Sequence, residues 1–281
     1  MKSIRKSRGL RGAGLIAALV LSAYSGAAFF GQTAAQLQTA AAAADTEYLT
    51  GATLWVQTGG EYRALAYQSY NLARMRFDLD LKNAPKKSKR PRAVVVDIDE
   101  TVMDNSRYQA SEVLKHKGYN ADDFTDWCMR KEAGAVPGAL EFLKYASAKG
   151  ARIFYVSNRK QTERACTSEN LKKLGFPDVS DETVLLRDET SGKEKRRQMI
   201  AEKYRIVLLC GDNLNDFTNV FEKKPIAERN ARVDQMREEF GSRFIVIPNP
   251  MYGDWENAIY DYKNLPDTEK AAKRRETLRG F

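Results

Sequence analysis

The chain has 281 residues, with 43% apolar and 30% charged side chains and a formal net charge of +9. That length and balance support a packed core and exclude wholesale disorder. Three cysteines are too few for a disulfide scaffold, and a mild positive charge favours anionic substrates or surfaces without by itself indicating a nucleic-acid binder.

Lys2, Arg5, Lys6, Arg8 and Arg11 precede a largely apolar stretch from Gly12 to Phe30, and small residues follow. This is the pattern of an export signal, and its length also allows a retained membrane anchor. The segment 1–35 is read as one or the other, which places the protein outside the cytoplasm, periplasmic or membrane-associated. No cysteine lies in the first 127 residues, so an amino-terminal lipid-modified cysteine is excluded. Residues 36–90 read as a linker and a helical part. Gln36–Ala44 is an alanine-rich connector. Residues 58–82 predict an amphipathic helix with Leu65, Leu72, Met75 and Leu79 at helical spacing, before a Pro/Lys/Arg break at Ala84–Arg92.

Strands and helices then alternate. Arg92–Ile98, Arg152–Val156, Val184–Leu186, Ile206–Cys210 and Phe244–Ile247 read as strands. Asn105–Lys117, Ala121–Ala133, Pro137–Lys149, Thr162–Leu174 and Lys193–Lys203 read as helices, the fourth closed by Gly175. The pattern predicts a mostly parallel sheet covered on both faces. The tail 263–281 is basic, poor in apolar residues, and read as loose. Cys210 reads as a buried filler. A Cys128–Cys166 bridge is left open for an exported chain.

The chemistry concentrates at strand ends. Asp97-Ile98-Asp99-Glu100-Thr101 follows a valine-rich run. Asp97 and Asp99 are two apart, so they point the same way while the strand persists. Carboxylates are costly inside such a core, but at the carboxyl edge of a parallel strand they face the crevice where ligands bind. Asp212 and Asp216 follow the Ile206–Cys210 run. Ser157-Asn158-Arg159 follows Arg152–Val156 and offers a hydroxyl and an amide to a phosphate oxygen. Lys193 opens a basic helix. Together these read as a hard-cation site beside an anion pocket, and Mg²⁺ is the ion that suits oxygen ligands. The single histidine, His116, sits in a charged helix and reads as a surface residue; no zinc set is present.

Asp97-Ile98-Asp99-Glu100-Thr101-Val102-Met103-Asp104-Asn105 resembles the opening motif of the haloacid dehalogenase (HAD) superfamily. Gly211-Asp212-Asn213-x-x-Asp216-Phe217, Pro248-Asn249-Pro250-Met251-Tyr252-Gly253-x-Trp255-Glu256 and Glu61-Tyr62-Arg63-Ala64-Leu65 extend the resemblance to the class C acid phosphatases, the bacterial lipoprotein acid phosphatase and 5′-nucleotidase family. The resemblance implies an α/β, HAD-like Rossmannoid three-layer sandwich with a mostly parallel central sheet. It adds a small, mainly helical cap around 105–135 within a core of 91–262, and an N-terminal helical extension. It also implies a Mg²⁺-dependent phosphomonoesterase acting through an aspartyl phosphate. Asp97 would be the nucleophile and Asp99 the general acid and base. Ser157 would hold a phosphoryl oxygen and Lys193, in preference to Lys195, would neutralise the phosphate. Asp97, Asp99 through its carbonyl, Asp212 and Asp216 would serve the metal. Asn158, Trp127 and Tyr252 would meet the substrate, the two aromatics stacking on a nucleobase. The implied partner is a small phosphomonoester, in the first place a nucleoside 5′-monophosphate, with a homodimer left open. The rival reading is a non-catalytic exported binding or adhesion protein on the same scaffold.

Overall fold

The computed structural model describes residues 46–83 and 90–281. The 1–35 export segment, the Gln36–Ala44 connector and residues 84–89 of the Ala84–Arg92 break lie outside the described residues. Residues 46–58 form helix α1, and Gly60–Asn83 form α2. Among the described residues no helix is long and apolar enough to cross a membrane.

Five parallel strands build the central sheet: β1 (Arg92–Val96), β4 (Arg152–Val156), β5 (Val184–Leu185), β6 (Arg205–Gly211) and β7 (Phe244–Val246), in the order β5-β4-β1-β6-β7. Side chains alternate across a strand, and here both faces are buried. Val94, Val96, Ile153, Tyr155, Leu208 and Ile245 enter one core. Ala93, Val95, Phe154, Val156, Leu209 and Phe244 enter the other. Burial on both sides explains why these strands read as unbroken apolar runs rather than as alternation.

The first core is closed by α2 and by α5 (Ala139–Ala148), which supplies Phe142, Leu143 and Ala146. Of the apolar stripe expected in α2, only Leu72 packs against the core. Tyr62, Ala66, Tyr70, Ala73 and Phe77 are the helix's buried residues, while Leu65, Met75 and Leu79 are exposed. Two alanines in the buried face let the helix approach the sheet. Full burial of a side chain such as Phe77 contributes roughly 1.5–3 kcal/mol. Tyr70 also donates its hydroxyl to the carbonyl of Thr101 at 2.5 Å. The helix thereby braces the loop that follows β1. At its other end, Asp80 accepts from Arg92 and Arg205 at the starts of β1 and β6.

The second face carries α7 (Glu194–Lys203), with Ile200 in the core. Between β1 and β4 the chain makes a short antiparallel pair, β2 (Met103–Asp104) with β3 (Gly134–Ala135). Helices α3 (Ser106–Leu114) and α4 (Ala121–Arg130) lie between those two strands. Asn120 caps α4 by accepting from the amides of Asp122 and Asp123. A disulfide joins Cys128 of α4 to Cys166 of α6 (Arg164–Leu174). Cys210 is free and buried.

Three elements depart from the sequence reading. The β2–β3 pair was not anticipated, because two-residue strands carry no periodic signal. Neither was α8 (Ile226–Gln235). The tail is not loose: after the short α9 (Asp254–Asn257), residues Asp267–Thr277 form α10. None of its residues is buried. Arg274 nevertheless lies 3.6 Å from the centre of the Tyr48 ring and donates to the Tyr260 hydroxyl. A helix held by such contacts has no apolar stripe to reveal it.

Candidate active site

Asp97 follows the last residue of β1, and its amide donates to the carbonyl of Cys210 at 3.0 Å. The tips of β1 and β6 are therefore locked side by side. Asp212 follows β6 directly. Asp216 ends a single turn, Leu214–Asp216, whose start is fixed by reciprocal capping between Asn213 and Asp216. Gly211 makes this possible: a Cβ there would sit inside contact distance of the Asp216 side chain. Asp97, Asp212 and Asp216 consequently each bring an oxygen within 4.8 Å of the others.

Lys193 stands at the start of α7 and reaches this cluster. Its ammonium donates to Asp97 at 2.5 Å and to Asp216 at 2.6 Å, with all three side chains buried. Burial works against the lysine charge, but Asp216 and Asp97 outweigh it and raise its pKa. Burial, opposed by Lys193 and reinforced by Asp216 and Asp99, pushes Asp97 up to about 7. Asp212 is driven well above the ordinary carboxylate range, first by burial and then by Asp216 and Asp97. Its oxygens accept from Thr101 and Asn249. Lys195 is exposed.

Asp99 belongs to a separate group. The loop turns back at Ile98, where the amides of Val102 and Met103 both donate to its carbonyl. Glu100 takes a left-handed conformation, φ 55°. The Asp99 carboxylate meets Arg159 through Nη2 at 2.7 Å and Nε at 3.0 and 3.2 Å. It also accepts from Asn105 at 2.8 Å and from Ser157 at 3.3 Å. Burial opposes its charge, but the Arg159 guanidinium beside it holds its pKa below the usual carboxylate range.

The Mg²⁺ expectation is corrected at this point. It rested on reading the strand-end acids, Ser157-Asn158 and Lys193 together as a hard-cation site beside an anion pocket, and on the family resemblance. The chain supplies counter-charge itself, with Lys193 between Asp97 and Asp216 and Arg159 on Asp99. Asp97, Asp212 and Asp216 do gather their oxygens, and the Lys193 ammonium already stands among them. With counter-charge supplied by Lys193 and Arg159, these acids do not require the Mg²⁺ expected from the sequence.

Ser157 is fully buried at the tip of β4, with its hydroxyl on Asp99 and on the amide of Arg159. Asn158 is exposed, and its carbonyl oxygen accepts from Arg196 of α7. Tyr252 is 37% exposed. Trp127 is corrected: it is 8% exposed, packed in the core, and its Nε1 donates to Asn105 at 2.8 Å. An indole is only a donor, so this bond turns the Asn105 amide and aims its NH₂ at Asp99. The exposed aromatic of that region is Tyr119, at 72%, in edge contact with Tyr108 and tilted against Phe124. Sequence reasoning also missed Asn105, Asn249 and Arg159. All three stood in quoted strings, but an amide or an arginine after a strand reads equally as a solvated side chain.

The model for the HAD superfamily, subfamily IIIB (acid phosphatase), matches residues 19–255. The chain belongs to this family. The fold agrees with the class C acid phosphatase from Bacillus anthracis, at TM-score 0.81 and 44% identity over 84% of this chain and 99% of that one. The same enzyme with tungstate bound superposes at TM-score 0.80 and 43% identity, over 84% and 98% of the two chains. More distant relatives include acid phosphatase 1 of Solanum lycopersicum, 25% identical over 56% of this chain. Another is the stem 28 kDa glycoprotein of Glycine max, 25% identical over 74% of this chain and 73% of that protein. The matched region spans 57% of the length of the tomato enzyme. The family is one of phosphomonoesterases with the α/β, mostly parallel HAD-like architecture described above.

Proposed function

We propose that the protein is an exported acid phosphatase that hydrolyses small phosphomonoesters, nucleoside 5′-monophosphates foremost, through an aspartyl phosphate on Asp97. The observation that carries the reading is the Lys193 ammonium against Asp97 at the tip of β1, with Asp99 two residues along and Ser157 at the neighbouring tip.

In the first step an Asp97 oxygen forms a bond to phosphorus while the bond from phosphorus to the leaving oxygen breaks. The negative charge of the bound phosphate offsets the Arg159 guanidinium and lets Asp99 take up a proton, which it gives to the leaving oxygen, help typically worth ~10²–10⁴-fold. In the second step Asp99 takes a proton from water, the water oxygen bonds to phosphorus, and the bond to Asp97 breaks. Dividing one hard displacement into two is the gain from covalent catalysis. Lys193 and the Ser157 hydroxyl serve the charge on the phosphoryl oxygens. The tungstate-bound relative supports a pocket for a tetrahedral oxyanion.

Tyr119 and Tyr252 are the exposed aromatics assigned to a nucleobase. Tyr119 packs against Phe124, whose ring covers the Arg159 guanidinium that holds Asp99. Export is supported by the basic and apolar start of the sequence and by the Cys128–Cys166 disulfide, since such bonds persist in oxidising compartments.

The test is a panel of nucleoside monophosphates, glycerol phosphate and 4-nitrophenyl phosphate. It is run on the parent protein and on Asp97→Asn, with chelator and with divalent salt so that ion content does not decide the result. Phosphate release by the parent and its loss in Asp97→Asn are expected. No turnover of any substrate from about pH 4 to 8 in either arm would overturn the assignment and favour a binding protein.

A further inference from the structure

Arg159 is held on every side. Nε and Nη2 grip Asp99, and Nη2 also points at Met103 Sδ and Asn105 Oδ1. Nη1 donates to Thr167 Oγ1 at 3.1 Å and to Cys128 Sγ at 3.4 Å. Phe124 covers the guanidinium, with its ring centre 5.2 Å from Cζ. Thr167 and Cys166 are consecutive on α6, Cys128 and Phe124 lie on α4, and the disulfide joins the two helices at this point. The side of the guanidinium away from Asp99 is thus a socket whose two walls are cross-linked.

From this arrangement we infer that Arg159 is a positioning residue for Asp99, and that the Cys128–Cys166 disulfide acts on the reaction through it by keeping the socket closed. The inference rests on the proposed role of Asp99 as proton donor to the leaving oxygen. A planar guanidinium engaged on all three nitrogens has one orientation, and it transmits that orientation to the carboxylate by paired hydrogen bonds. Without the cross-link, α4 can drift from α6 and the socket widens. Proton donation is sensitive to such drift, because misplacement of about 1 Å can cost ~10²-fold. Attack by Asp97 does not pass through Arg159 and is spared.

The division between the two steps supplies a signature that general loosening does not share. An alkyl phosphate has a poor leaving group and needs the proton. 4-Nitrophenyl phosphate has a good one and does not. The measurement is kcat/KM on both substrates for the parent, Cys128→Ser/Cys166→Ser, Thr167→Val and Arg159→Ala, each at its own pH optimum so that a shifted titration does not count as a loss. On the alkyl phosphate we expect losses of about ten-fold for the cysteine pair and for Thr167→Val, and about a hundred-fold for Arg159→Ala. On 4-nitrophenyl phosphate all should stay within about three-fold. In the Arg159→Ala background, removing the cross-link should add less than about two-fold, because the two changes act along one path.

Equal losses on both substrates would show a merely structural bond, and so would no loss in a folded, disulfide-free protein; either result overturns the inference. Thr167→Val keeps the disulfide and decides the matter if the cysteine variant does not fold. An inactive parent defeats the assignment of function and this inference with it. An active parent whose variants fail the substrate contrast defeats the inference alone.

Discussion

Lys193 Nζ lies 2.6 Å from Asp216 Oδ1, and the two buried side chains share the pocket with Asp97. One cation thus serves two acids that would otherwise repel each other. Replacing it with the uncharged Lys193→Met leaves both carboxylates buried without a counter-charge, which costs about 3–5 kcal/mol when a buried pair is broken. Turnover should fall by ~10²–10³-fold. The sign of the pH dependence follows. Unpaired buried acids have folded pKa values above their unfolded ones, so their cost grows as pH rises. The melting-temperature deficit of Lys193→Met should be smaller at pH 5 than at pH 8, measured by thermal denaturation.

Gly211 makes a different prediction. The residue permits Asp216 to fold back under the end of β6. Gly211→Ala forces the two apart and should cost about 1–3 kcal/mol, the usual range for overpacking. Because the displaced acid is one of the two that hold Lys193, kcat should fall with stability. Denaturant unfolding and initial rates on one preparation would check both.

Recognition of a base can be separated from the chemistry. Tyr119→Ala and Tyr252→Ala should raise KM for nucleoside monophosphates about ten-fold each, since stacking on an aromatic side chain is worth about 1–3 kcal/mol per base. Glycerol phosphate should be unaffected. A uniform effect on both substrates would remove the aromatic pair from recognition.

Asp80 should report on acid stability. Burial alone would raise its pKa, but hydrogen bonds from Arg205 and Arg92 win and lower it. A depressed carboxylate stabilises above its unfolded pKa and ceases to as pH falls through the folded one. Asp80→Asn should therefore cost roughly 1 kcal/mol at neutral pH and nothing measurable well below pH 3. Melting curves across that range would test it.

Much of this centre could be read in advance because it is local. Asp97, Ser157 and Asp212 each end an apolar run, and a strand buried on both faces leaves its polar residues only at its tip. What escaped depends on which side chains meet in space. Magnesium was expected because Lys193 read as a partner of the phosphate alone, whereas its ammonium also stands between Asp97 and Asp216. Trp127 was read as a stacking surface, although its N–H is used to set Asn105. In α2 the leucines looked like the inner stripe. Tyr62, Tyr70 and Phe77 form most of it, and Ala66 and Ala73 between them let the helix approach the sheet. Helix α10 was invisible for the opposite reason, having only ionic and aromatic side contacts.

Those contacts link distant stretches of chain. Arg274 rests on Tyr48, and Tyr48 donates to Glu256, which follows Trp255 in α9. Opening of the last helix would strip the cation from the tyrosine and loosen the carboxylate below it. Amide protons near either extremity of the folded body should then exchange with solvent as one group, though more than 200 positions separate them in the chain.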